Sequence, residues 1–175
     1  ILPYTPPEGL LGVTDFLKRR VSLPFQGSFA DFRHTIRHEM VHVFQLDLDS
    51  ESYYEAPRLS HIDLPLWWTE GLADLWSGGQ DARDEMVMRD LVLSGRLPRF
   101  KQLAYVIGGI VYPIGGQIHR WLADTYGDWR VALMYRELNR YDTFEHAILA
   151  VYGRTLDQLS EEFQLAMRRA YYPSV

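Results

Sequence analysis

The sequence predicts a single α+β domain, mainly α, with a short N-terminal β-hairpin and a C-terminal helical lobe. Three observations predict it. Short, partly alternating apolar stretches fall within the first 27 positions, as strands require. Beyond them, apolar residues recur at three and four positions, as helices require. With 175 residues, 47% hydrophobic and 14% aromatic, the chain has enough length and apolar content for one sizeable core. The expected organisation is a β-part and edge strand in residues 1–27, a functional pair of helices with an inserted loop in 28–80, and a helical lobe in 81–175.

Residues 1–10, with three prolines and one glycine, read as an extended arm. Leu11 to Phe16 and Arg20 to Phe25 can pair as a hairpin across Leu17 to Arg19. Gln26-Gly27 breaks the second strand, and Ser28 can cap a helix over about 29 to 46, with Phe32, Ile36, Met40, Val41, Val43 and Phe44 as its apolar surface. Asp47 to Asp63, rich in Asp, Ser, Glu and Tyr, reads as an inserted polar loop. Its Asp47, Asp49 and Glu51 lack the glycine and spacing of an EF-hand, so a solvated acidic loop is the expectation. Pro65 to Trp76 forms a second apolar helix, stopped at Ser77-Gly78-Gly79. Further helices are expected over Asp81 to Leu93, Ile114 to Tyr126, Trp129 to Leu138, Phe144 to Val151 and Leu156 to Ala170, with Pro98 to Leu103 as a connector and the apolar Ala104 to Gly109 beside the cleft.

The first of the two functional helices carries His38-Glu39-Met40-Val41-His42, an H-E-x-x-H pattern. Residues four apart on a helix share a face, so both imidazoles can reach one metal ion while Glu39 holds a water against it. With 6 His and 10 Glu in 175 residues, the pattern is expected by chance in about 0.01 such chains, so context decides its meaning. A catalytic zinc site takes three protein ligands and leaves one position open. Glu70, an isolated carboxylate among Trp67, Trp68 and Leu72, is the candidate third ligand, because a lone charge on an apolar face is costly. Asp74 lies one turn later and can accept the second N–H of a ligand histidine.

These residues carry a resemblance. His38, Glu39 and His42, followed by Trp67-Trp-Thr-Glu70-Gly-Leu-Ala-Asp74, resemble the gluzincin metallopeptidases, the thermolysin and aminopeptidase N clan, with its W-x-x-E-G-x-A block. Tyr112-Pro-Ile-Gly115 is similar to that family's Y-x-x-G element, ahead of a helix ending in Gly127. The nearest look-alikes are bacterial peptidase MA-like domains, often attached to β-propeller segments. The resemblance runs from about Arg20 to the C-terminus. It implies a zincin-like fold, one Zn²⁺ per chain on His38, His42 and Glu70, Glu39 as catalytic base, and Tyr112 as donor to the oxyanion. It also implies a peptide or protein substrate held along a strand edge, an extracytoplasmic location and a possible further domain such as a β-propeller. No G-x-M-E-N segment precedes the motif, so endopeptidase rather than exopeptidase action is expected. The metzincin pattern is excluded, since its Gly and third His would stand where Gln45 and Leu48 stand.

Composition narrows the rest. A net charge of −5 with scattered Lys and Arg argues against nucleic acid as a partner. No apolar run approaches the roughly 18 residues that span a bilayer. Without cysteine, a metal must be held by His and carboxylate. Because the chain starts at Ile1, it reads as a domain cut from something longer. Blander readings stand beside the sharp ones. Glu70 could pair with Arg83, Asp74 could serve only its helix surface, Tyr105 competes with Tyr112, and His34 could replace His42 beside His38. His119 and His146 are further candidates for assisting the oxyanion. The alternative to a peptidase is a metal-stabilised, catalytically inactive peptidase-like binding module. An enzyme hydrolysing a non-peptide bond would use the same residues.

Overall fold

The computed structural model describes residues 13–15, 20–25, 27–55, 64–78, 80–106 and 109–172, with side chains in the first helix described through residue 45. The protein is mainly helical. Among the described residues, β1 (Val13–Asp15) and β2 (Arg20–Ser22) form an antiparallel pair in which Val13 faces Ser22 and Asp15 faces Arg20. These lie within the stretches expected to pair, and all three residues of β2 are exposed. The arm of residues 1–10 and the turn at 17–19 lie outside the described residues.

The first helix, α1 (Phe29–Glu55), begins as expected, with the Asp31 amide donating to the Ser28 hydroxyl at 3.3 Å. It does not stop near residue 46. The expected inserted loop is helical as far as Glu55, because no Gly or Pro breaks the chain until Pro57. Residues 56–63 and the side chains of Asp47, Asp49 and Glu51 lie outside the described set. The apolar surface expected for α1 also needs correction. Ile36, Met40 and Phe44 are exposed, while the buried positions include Thr35, Glu39 and Gln45 beside Val41. The face that α1 turns inward is the polar one, because that face meets the second helix at the site.

That second helix, α2 (Leu66–Ser77), is the centre of the molecule. Trp67, Trp68, Leu72 and Ala73 are at most 1% exposed, and α2 packs chiefly on α5 (Val111–Tyr126) and next on α1. Two glycines permit the α2–α5 crossing. A Cβ on Gly71 would lie 2.3 Å from the Gly115 carbonyl carbon, and one on Gly115 would lie 2.3 Å from the Trp67 carbonyl oxygen. Only hydrogen at both positions lets the backbones touch.

The remaining helices close over α2 and α5. They are α3 (Ala82–Leu93), α4 (Phe100–Leu103), α6 (Asp128–Glu137), α7 (Phe144–Tyr152) and α8 (Leu156–Tyr171), with a 3₁₀ turn at Leu138–Arg140. Capping follows sequence chemistry. Asp81 accepts from the Arg83 and Asp84 amides, Thr143 caps α7, and Thr155 forms a capping box with Gln158. The connector expected at Pro98 to Leu103 contains the one-turn α4, whose Phe100 and Leu103 are buried. Helix α5 starts three residues ahead of the expected Ile114. Pro113 is accommodated in its first turn, where a missing N–H costs nothing. No helix of the described residues is long and apolar enough to cross a membrane.

Candidate metal centre

The site lies where α1, α2 and α5 meet. His38 and His42 are one turn apart on α1, and their Nε2 atoms are 3.2 Å apart. Glu70 comes from α2, and its Oε2 is 3.1 Å from His38 Nε2 and 3.3 Å from His42 Nε2. The other nitrogens of both rings face acceptors. His38 Nδ1 lies 3.4 Å from Asp74 Oδ1, and His42 Nδ1 lies 2.7 Å from Gln45 Oε1.

This arrangement fixes tautomers. A neutral imidazole carries one proton, and an acceptor at Nδ1 draws it there, leaving the Nε2 lone pair free. Two Nε2 lone pairs and a carboxylate oxygen then converge on one point, which is repulsive unless a proton or a cation lies between them. The triangle they form has sides of 3.1, 3.2 and 3.3 Å. Tetrahedral zinc with bonds of about 2.0–2.1 Å requires ligand atoms about 3.3–3.4 Å apart, so the donors fit the ion in type and spacing. His38, His42 and Glu70 thus could hold a metal ion. His34, His38 and Asp74 form a second candidate group, which shares His38 and relies on an exposed His34.

Without a cation, protons take its part. Burial alone would keep His38 neutral, but Asp74 and Glu70 outweigh it and raise its pKa to about 9. His42 is likewise raised against burial, by Glu70 and by its Gln45 contact. Burial alone would raise the Glu70 pKa, yet the two histidines hold it at about 2.

Glu39 directly follows His38 and is 6% exposed. Its charge reaches the hydroxyl of Tyr112, whose pKa is raised to about 12 by burial first, then by Glu70, Asp74 and Glu39. The Tyr112 ring stands 6.1 Å from the His38 ring, so α5 brings this tyrosine to the site. Tyr105, its competitor in the sequence, is 87% exposed. His119 is fully buried against Trp68 with Nδ1 donating to the Gly115 carbonyl, and His146 is exposed and paired with Asp142, so neither stands at the site. Glu70 engages the two histidines rather than Arg83, and Asp74 is buried against His38 rather than serving its helix surface.

Two participants escape the sequence reading. Gln45 lies one turn beyond His42 on the same face, a signal that was available. Tyr135 of α6 touches Gln45 from 90 positions away, and nothing local announces it. Comparison with protein-family models, curated proteins and solved structures finds no match to this chain.

Proposed function

We propose that this chain is a zinc-dependent peptidase domain of gluzincin type, with a zincin-like fold and an endopeptidase's action on peptide or protein substrates. The observation that carries the reading is the convergence of His38, His42 and Glu70, each histidine with an acceptor at its far nitrogen, beside a buried Glu39. A site that only stabilised the fold would have no use for a carboxylate base at that position.

Zinc held by these three residues supplies an acidified water and a Lewis acid for the scissile carbonyl. The chain's own groups supply the rest. Glu39 takes the proton of the attacking water and later gives it to the leaving amine nitrogen. Tyr112, kept protonated by burial and by its carboxylate neighbours, donates a hydrogen bond to the oxygen on which negative charge develops. Asp74 keeps the His38 lone pair aimed inward.

Glu39→Gln tests the assignment. The variant keeps its size and its place in α1, so metal content and fold persist while kcat on a peptide library falls roughly 10²–10⁴-fold. Substantial residual turnover would remove Glu39 from the reaction. A wild-type chain that binds zinc yet cleaves nothing would favour the inactive binding module.

A further inference from the structure

Asp74 is a single-purpose partner for His38, since a carboxylate can only accept. His42 has a different partner, and an amide end is ambiguous. Gln45 could turn either its oxygen or its nitrogen toward the ring. If it offered an N–H, it would force the His42 proton onto Nε2 and block that nitrogen as a ligand.

The surroundings of Gln45 remove the ambiguity. Its Nε2 lies 2.9 Å from the Thr69 carbonyl oxygen, which can only accept, and 3.0 Å from the Tyr135 hydroxyl. Both N–H bonds are therefore committed away from His42, and Oε1 meets His42 Nδ1 at 2.7 Å. Gln45 and Tyr135 are both buried, at 7% and 5% exposure, so solvent does not compete for these bonds. Thr69 immediately precedes Glu70, so the same amide ties the His42 helix to the backbone that carries the third ligand.

We infer that Gln45, held by Thr69 and Tyr135, is the positioning residue that locks His42 in its metal-binding tautomer and makes the metal centre depend on the placement of α6. The inference rests on the proposed zinc site and adds residues to it. Neither Gln45 nor Tyr135 is a ligand. Each acts through His42.

The test compares zinc dissociation constants, measured by chelator competition on the full chain, for wild type, Gln45→Met and Tyr135→Phe. Long-range ¹H–¹⁵N spectra of the zinc-loaded proteins report which His42 nitrogen is protonated. Methionine fills the space of glutamine without its amide, and the expected loss of affinity is roughly 10- to 100-fold. Tyr135→Phe removes one hydroxyl two hydrogen bonds from the ligand nitrogen, and its expected loss is roughly two- to tenfold. This variant keeps the test decisive even if Gln45→Met does not fold. The wild-type spectrum is expected to show the His42 proton on Nδ1, protected from exchange, and the variants to lose that protection. Zinc-binding wild type with unaltered affinity and proton protection in both variants would overturn the positioning role and leave the zinc site standing. A wild type that binds no zinc would overturn the site reading and the inference together.

Discussion

At the scale of single residues, the site is a charge balance that can be read by pH. In the metal-free chain the folded pKa of His38, about 9, exceeds its ordinary 6.5. Its contribution to stability is complete below about pH 6.5 and is lost as pH rises through 9. Glu70 is held at about 2 against an ordinary 4.5, so its contribution is complete above about pH 4.5 and is lost as pH falls through 2. The two shifts describe one set of contacts from both sides and are not added. Buried His119 works the other way. Burial holds it at about 4, so the unfolded chain takes up its proton first and stability declines as pH falls from 6.5 toward 4. Thermal melts with a chelator are expected to peak near pH 6.5 and to drop by pH 9. Zinc should reverse the alkaline limb, because metal needs the imidazoles deprotonated. An alkaline drop of equal size in His38→Ala would show that His38 is not its source.

At the scale of elements, two motif glycines have a mechanical reason. Gly71 follows Glu70, and Gly115 lies one turn after Tyr112, so the α2–α5 contact is what brings Glu70 and Tyr112 to one place. Gly71→Ala and Gly115→Ala place a methyl group against backbone that cannot rotate away. Each is expected to destabilise by about 1–3 kcal/mol or more and to weaken zinc binding, measured by denaturant unfolding and chelator competition. Full stability in both would mean that the helices cross less tightly. The sequence made the glycines visible as pattern, but the reason is a contact between positions 44 apart, which no local signal carries. The same limit explains the α1 surface. Periodicity located Ile36, Met40 and Phe44, yet the inward face is chosen by what α2 offers, and α2 offers Glu70 and Asp74. Helix ends are legible where Asp81, Thr143 and Thr155 cap them, whereas α1 runs past residue 46, where polarity alone is no true break, and α5 starts ahead of Ile114.

At the scale of the whole molecule, the helical lobe is a buttress. Trp68 is fully buried, its ring 4.5 Å from His119 and 5.3 Å from Phe144, and it stands two residues before Glu70 on α2. Trp68→Ala is expected to cost about 3–5 kcal/mol in unfolding free energy, read by denaturant titration, and to weaken zinc binding with it. A loss below about 1 kcal/mol would contradict a lobe that braces the site. Here the His38-Glu39-x-x-His42 pattern, Glu70 and Asp74 were legible because helical spacing and an isolated carboxylate are local facts. Gln45 shared that helix and was readable by the same rule. Tyr135 was not, since only the packing of α6 against α1 brings it near.

A metal centre built on His38, His42 and Glu70 is tested by the metal content of the purified chain. Purified wild type and Glu70→Ala, compared by elemental mass spectrometry and chelator competition, should differ sharply. About one zinc per wild-type chain and strongly weakened binding in the variant are expected. Zinc retained equally by both would show that Glu70 is not a ligand, and the gluzincin reading would fall with it.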